Sequence, residues 1–258
     1  MSERDGYQHG VPCWVDTWQP DADAAARFYA GVFGWDVRSG TSGATSTRYD
    51  MCQLGGHDVA AIGSPRPEGA GAAWTTYVWV DDADAAAAQA ARAGGSVVVA
   101  PFHSLDGGRM AIVADPAGAA LGLWQPGTHR GAQRVNEASA YAMSLLHTPD
   151  PDGAAAFYGA LFGWTTESFG EATMFRLPGF VGGEPEQPVS REVVAVMTPA
   201  GNGEPARWDV DFWIADADAA ELGRAVVAGP HDTPLFRQAV LADPTGATFT
   251  VSARKLGG

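Results

Sequence analysis

One long pattern occurs twice in this chain. Pro20-Asp21-Ala22-Asp23, followed by Phe28-Tyr29 and Phe33-Gly34-Trp35, returns as Pro149-Asp150-Pro151-Asp152, Phe157-Tyr158 and Phe162-Gly163-Trp164, with Trp35 and Trp164 standing 129 positions apart. Further along, Ala114-Asp115-Pro116-Ala117-Gly118-Ala119 returns 128 positions later as Ala242-Asp243-Pro244-Thr245-Gly246-Ala247. Nearly equal offsets at both ends leave little room for insertions, so the repeat predicts two domains on one plan, residues 1–130 and 131–258. A length of 258 residues suits two ordinary domains.

Each half also repeats within itself. A strand-like run ending in an acidic turn and an Ala-rich stretch occurs at Trp14–Trp18 with Asp21–Ala25, and again at Trp74–Val80 with Asp82–Ala86. The second half does the same from Ala142 and from Trp208, the latter running into Asp216-Ala217-Asp218. An Asp at such a point caps the unpaired amides of the helix that follows, and a second acid in the first turn is favoured by the helix dipole. Small residues close the helices, as at Ala93-Gly94-Gly95, and β-branched runs such as Val97-Val98-Val99 follow as strands. Arg109–Ala114 and Ala119–Trp124 then read as paired strands joined by the turn Asp115-Pro116-Ala117-Gly118. Each module is therefore βαβββ, and the fold class is α+β with four such modules. A doubly wound parallel sheet needs a helix between nearly every strand pair and a Gly-rich phosphate loop, and neither is present.

Composition narrows the function classes. The chain is 46% hydrophobic and 18% charged, enough to bury a sizeable core. Its formal charge of −14 repels phosphate backbones and anionic lipid, so neither nucleic acid nor membrane is an expected partner. Cys13 and Cys52 lack CxxC spacing and the first ten residues have no apolar signal core, which points to a reduced, cytoplasmic protein.

With these motifs in place, the chain resembles the vicinal oxygen chelate superfamily, which includes glyoxalase I, extradiol dioxygenases and the bleomycin and fosfomycin resistance proteins. The resemblance rests on Phe28-Tyr29 with Phe33-Gly34-Trp35 and on the Asp115-Pro116-x-Gly118 hairpin, each present in both halves. Pro12–Asp16 and Gly108–Ala111 through Trp124–Gly127 look most like its two-domain actinobacterial glyoxalase-like subgroup. The resemblance implies two tandem glyoxalase-like domains, each an incompletely closed eight-stranded barrel. It also implies where a divalent metal would be held, on the first strand of each module and on a closing strand. Those positions fall on Trp14 and Met143, Thr75 and Asp209, and Gly122 and Thr250. Only Asp209 is a plausible ligand, and a site needs about three convergent donors, so no metal and no other cofactor is expected.

Strand alternation gives an inventory of the concave faces. Trp14, Asp16 and Trp18 share a face, as do Tyr77 and Trp79 with Thr75, and Trp124 with Gly122; in the second half Met143, Leu145 and His147 align, with Asp209, Asp211 and Trp213 on the facing strand. Nine tryptophans is a high number for this length, and rings gathered on one face either bind a planar ligand or fill a barrel that holds no metal. Asp16 between two tryptophans is the candidate acid, base or acceptor, unless it pairs with an arginine such as Arg109; His147 is the second candidate. The expected activity is capture or conversion of a small aromatic or apolar compound, in resistance or secondary metabolism, by a monomer or homodimer. A metal-dependent lyase or dioxygenase, and a structural protein with filled barrels, are the alternatives.

Overall fold

In a computed structural model, residues 3–40, 47–104, 107–182, 190–201, 203–217 and 225–254 are described. The first half runs β1 (Pro12–Trp18), α1 (Ala22–Phe33), β2 (Asp36–Arg38), β3 (Arg48–Leu54), β4 (His57–Ser64), β5 (Trp74–Trp79), α2 (Ala83–Arg92), β6 (Ser96–Ser104), β7 (Gly108–Ala114) and β8 (Ala120–Pro126). The second runs β9 (Tyr141–Thr148), α3 (Pro151–Phe162), β10 (Thr165–Phe169), β11 (Ala172–Arg176), β12 (Val193–Pro199), β13 (Arg207–Trp213), β14 (Ala225–Asp232), β15 (Phe236–Ala242) and β16 (Thr248–Arg254). The helix expected after Asp216 falls on residues 218–224, outside the described residues. Among the described residues no helix is long and apolar enough to cross a membrane.

Each half forms one eight-stranded sheet, ordered β2-β3-β4-β1-β5-β8-β7-β6 and β10-β11-β12-β9-β13-β16-β15-β14. The end strands do not pair with each other, so neither sheet closes. The modules meet where β1 runs antiparallel to β5 and β9 to β13. All three described helices start as the acidic turns predict: Asp21, Asp82 and Asp150 accept from the amides of Ala24, Ala85 and Gly153 at 2.9–3.0 Å. Gly34 and Gly163 end α1 and α3 at φ 71° and 74°, a left-handed conformation that costs glycine least.

The repeated motifs do not serve the halves that carry them. Trp74 Nε1 donates to Tyr29 Oη (3.1 Å), which donates to Asp243 Oδ2 of the other half (2.9 Å). Trp208 Nε1 donates to Tyr158 Oη (2.8 Å), which donates to Asp115 Oδ2 (3.1 Å). The Phe-Gly-Trp tryptophans cross in the same manner, Trp35 Nε1 to Ser139 O and Trp164 Nε1 to Gly10 O, both 2.7 Å. Phe33 packs on Phe212 and Phe249, and each of the two buried clusters draws residues from both halves, one around α1 and the other around α2 and α3. Each hairpin aspartate also folds its own turn, since Asp243 Oδ1 accepts from the amides of Thr245 and Ala247 and Asp115 Oδ1 from those of Ala117 and Ala119.

Candidate functional site

Alternation along β1 turns Trp14, Asp16 and Trp18 to the concave face, and the register Trp14↔Tyr77 and Tyr77↔Gly122 brings Tyr77 beside them. Gly122 is required there: a Cβ would sit 2.1 Å from the Tyr77 ring, as one on Gly63 would sit 2.5 Å from the Trp18 indole. These glycines let the rings lie flat on the sheet. Trp14, Tyr77, Trp79 and Trp124 are all buried, while Trp18 is partly exposed at the mouth of the face.

Asp16 lies at the centre and is 2% exposed. Its Oδ2 accepts from Tyr49 Oη (2.9 Å) and Tyr77 Oη (3.1 Å), and Trp14 Nε1 donates in turn to Tyr49 Oη (2.9 Å). Among the described residues no arginine pairs with it, and the Arg109 considered as a partner is held by Asp84 (2.5 and 2.8 Å). Burial pushes the Asp16 carboxyl up to about 7, against the lowering effect of Tyr49, Tyr77 and Trp18, and burial keeps both phenols well above their usual range as donors. Asp16 Oδ1 is buried and has no hydrogen-bond partner among the described residues.

Two residues of this site escaped the sequence reading. Tyr49 shares the inward side of β3 with Met51, a period-two signal that points to Asp16 only once the β3–β4 register is known. His129 follows the last strand of the first half with no spacing to mark it, yet its ring stands edge-on to Trp14 (centroids 4.3 Å apart) and near Trp124 (5.4 Å). Burial pulls it down to about 4, so the ring is neutral at pH 7, and its Nε2 also lacks a partner among the described residues.

On the second concave face the site candidates gather differently. His147 Nε2 lies 3.2 Å from Asp209 Oδ2 and its Nδ1 lies 2.8 Å from Thr198 Oγ1, while Arg207 Nε also donates to Asp209 Oδ2 (3.1 Å). Asp211 lies one inward position along β13, buried and in contact with Ser252 Oγ at 2.7 and 2.8 Å. Desolvation pushes its carboxyl up to about 7 as well. Trp213 packs on Phe236 at the end of the same strand. Asp209 and His147 thus form a mostly buried pair, and Asp211 is a separate acid that titrates near neutrality.

Among the described residues neither face gathers the donor set of a divalent ion. Among the described residues no three His, Cys, Asp or Glu side chains converge. The inward positions at the centre of the first sheet are Trp14, Asp16, Thr75, Tyr77 and Gly122, and those of the second are Met143, Leu145, His147, Asp209, Asp211 and Thr250. A transition metal takes about three nitrogen, oxygen or sulfur donors, which neither set gathers at one point.

Comparison with known proteins agrees with this architecture. Residues 14–123 match the family model described as Glyoxalase/Bleomycin resistance protein/Dioxygenase superfamily, and residues 143–252 match a glyoxalase-like domain. The chain is 39% identical to a Mycobacterium tuberculosis protein that carries the provisional name glyoxylase CFP32, with 97% of each chain covered. It is 35% identical to the anthracycline biosynthesis protein DnrV of Streptomyces peucetius, over 94% of this chain and 92% of that one. Solved structures of similar shape include the Mn(II)-bound glyoxalase from Novosphingobium aromaticivorans (TM-score 0.64, 14% identity, 95% of this chain and 82% of that one). The 2,3-dioxygenase LapB from Pseudomonas sp. KL28 is alike to the same degree (TM-score 0.64, 14% identity, 98% and 94% covered). At such identities the structural likeness concerns the fold alone.

Proposed function

The chain belongs to the glyoxalase/bleomycin resistance protein/dioxygenase superfamily, and from that premise we propose that it captures or acts on an aromatic small molecule at its first concave face without a resident metal. One observation carries the reading. Asp16 Oδ1 and His129 Nε2, whose ring stands edge-on to Trp14, are buried polar atoms without partners among the described residues, and buried polar groups are nearly always satisfied. A planar compound bearing hydroxyl or carbonyl groups would satisfy both while stacking on indole.

The residue roles follow from their states. Tyr49 and Tyr77 hold Asp16 in place as donors. Asp16, titrating near neutrality, accepts a hydrogen bond or exchanges a proton with a ligand hydroxyl. Neutral His129 accepts from or donates to a second ligand oxygen, and Trp18, partly exposed over Gly63, is the ring a ligand displaces on entry. The relative named for anthracycline biosynthesis supports an aromatic natural product as the ligand class.

Tryptophan fluorescence during titration with anthracyclines and simpler hydroxylated aromatics tests the proposal. Saturable quenching that weakens about tenfold or more in Asp16→Asn and Trp18→Ala is expected. Emission unchanged across the panel would sink it. Metal content after incubation with Fe(II), Ni(II), Mn(II) and Zn(II) separates the rival: near-stoichiometric metal abolished by Asp209→Ala would restore a metal-dependent lyase or dioxygenase.

A further inference from the structure

A cavity of about 420 Å³ opens between the N-terminal segment and the second half. Its walls are the N-terminal segment Arg4–Gln8, Arg130 from the connection between the halves, and Gly179–Val181 from the second half. It adjoins an inner apolar cavity of about 40 Å³, and Arg4, Tyr7 and Phe180 line both. Val11, Val135 and Val194 are among the walls of the inner chamber.

Its charge is opposite to that of the molecule. In a chain of formal charge −14, two guanidinium groups face this one opening, and neither forms an ion pair among the described residues. Arg130 donates Nε to the main-chain oxygen of Asp5 (2.6 Å) and lies 5.5 Å over the Trp79 ring, which fixes its plane and leaves its terminal nitrogens as donors. The Arg4 main-chain amide is anchored to Gln133 O (2.8 Å) and its partly buried side chain lines the cavity. Asp5 at the exposed rim is the one carboxylate in the lining, so positive charge is in excess. Guanidinium groups bind carboxylates through short, paired hydrogen bonds, and holding two of them together without a counter-charge is costly unless an anion is bound.

We propose that this cleft is a binding site for a small organic carboxylate. Its head group is held by Arg4 and Arg130, its aromatic or branched apolar body lies against Tyr7 and Phe180, and a group no larger than an ethyl enters the inner chamber. Arg130 touches the first concave face through Trp79, but neither Asp16 nor His129 lines the cleft, so each proposal has its own test.

Titration calorimetry at low ionic strength with benzoate, phenylacetate and isovalerate, beside their neutral amides, is the test. The expected result is saturable binding of at least one carboxylate, no binding of its amide, and a loss of about tenfold or more in Arg4→Gln and Arg130→Gln. Arg4→Gln removes a charge that holds no other side chain, so its melting temperature should match the parent; Arg130→Lys keeps the charge and should retain part of the affinity. Equal binding of acid and amide, affinity unchanged in both glutamine variants, or no binding by any of the three carboxylates would each overturn the proposal. Asp16→Asn should leave this binding unaltered.

Discussion

The two concave faces are built on one strand register and lined in opposite ways. Where the first has Trp14, Asp16, Trp18, Tyr77, Gly122 and Trp124, the second has Met143, Leu145, His147, Asp211, Thr250 and Ser252. The buried acid has moved from the first strand of its sheet to the facing strand, and the ring beside it has become an acid. Both acids end with a carboxyl near 7 because both are desolvated and neither meets a cation among the described residues, although one is held by phenols and the other by a serine. The convex seam has not diverged, since indole, phenol and carboxylate follow one another across it twice. The scaffold tolerates change where a face has only itself to satisfy, and much less where each half completes the other.

Asp243→Ala should be the most damaging change along this contrast. It strips acceptors from Tyr29, Gln19 and two turn amides at once, an expected cost of about 5 kcal/mol in urea unfolding. Asp115→Ala should cost nearly as much, and both should lower a single transition; two separate transitions would show that the halves do not depend on each other. Equivalent positions on the faces should instead respond unequally. Trp14→Ala, at a site 2% exposed, should cost about 3–5 kcal/mol, and Met143→Ala, partly exposed, about 1 kcal/mol. Equal losses would mean that the two linings are packed alike.

The buried acids set the next effect. Asp16 and Asp211 keep their protons in the folded state up to about pH 7, whereas the unfolded chain releases them near 4, so each contributes stability that is lost as pH rises between those values. The loss is at most about 4 kcal/mol per residue. His129 acts with the opposite sign, because the folded state stays neutral down to about pH 4 while the unfolded histidine takes a proton below about 6.5. Differences from the parent isolate each group: Asp16→Asn and Asp211→Asn should gain stability relative to it as pH climbs from 4 to 7, and a constant difference would mean that the acids titrate alike in the folded and unfolded chain. The smallest expected change is His147→Ala, at or below about 1 kcal/mol, since its pairing with Asp209 is reached by solvent.

Local chemistry was the legible part of the sequence. Asp21, Asp82 and Asp150 announce their helices because a cap needs only its own turn, and period-two alternation placed Trp14, Asp16 and Tyr77 on one face because the pleat dictates it. What needed a partner strand was out of reach. Tyr49 and Tyr77 converge on one oxygen of Asp16 from strands on opposite sides of β1, and His129 arrives from the connection between the halves. The repeat itself showed two similar units, but nothing in either copy says that Tyr29 belongs with Asp243 and not with Asp115, a choice made only when the convex sides meet.

That crossed seam also sets a clock on biosynthesis. Chain growth proceeds at roughly 5–20 residues per second, so Phe33 and Trp35 leave the ribosome about ten to forty seconds before Asp243 and Phe249 exist to receive them. Through that interval the nascent first half exposes its most aromatic surface, and the nearest complementary surface in the cell belongs to a finished second half on a neighbouring chain. Crowded polysomes would then favour molecules that exchange halves between two chains, a dimer made of the same contacts as the monomer.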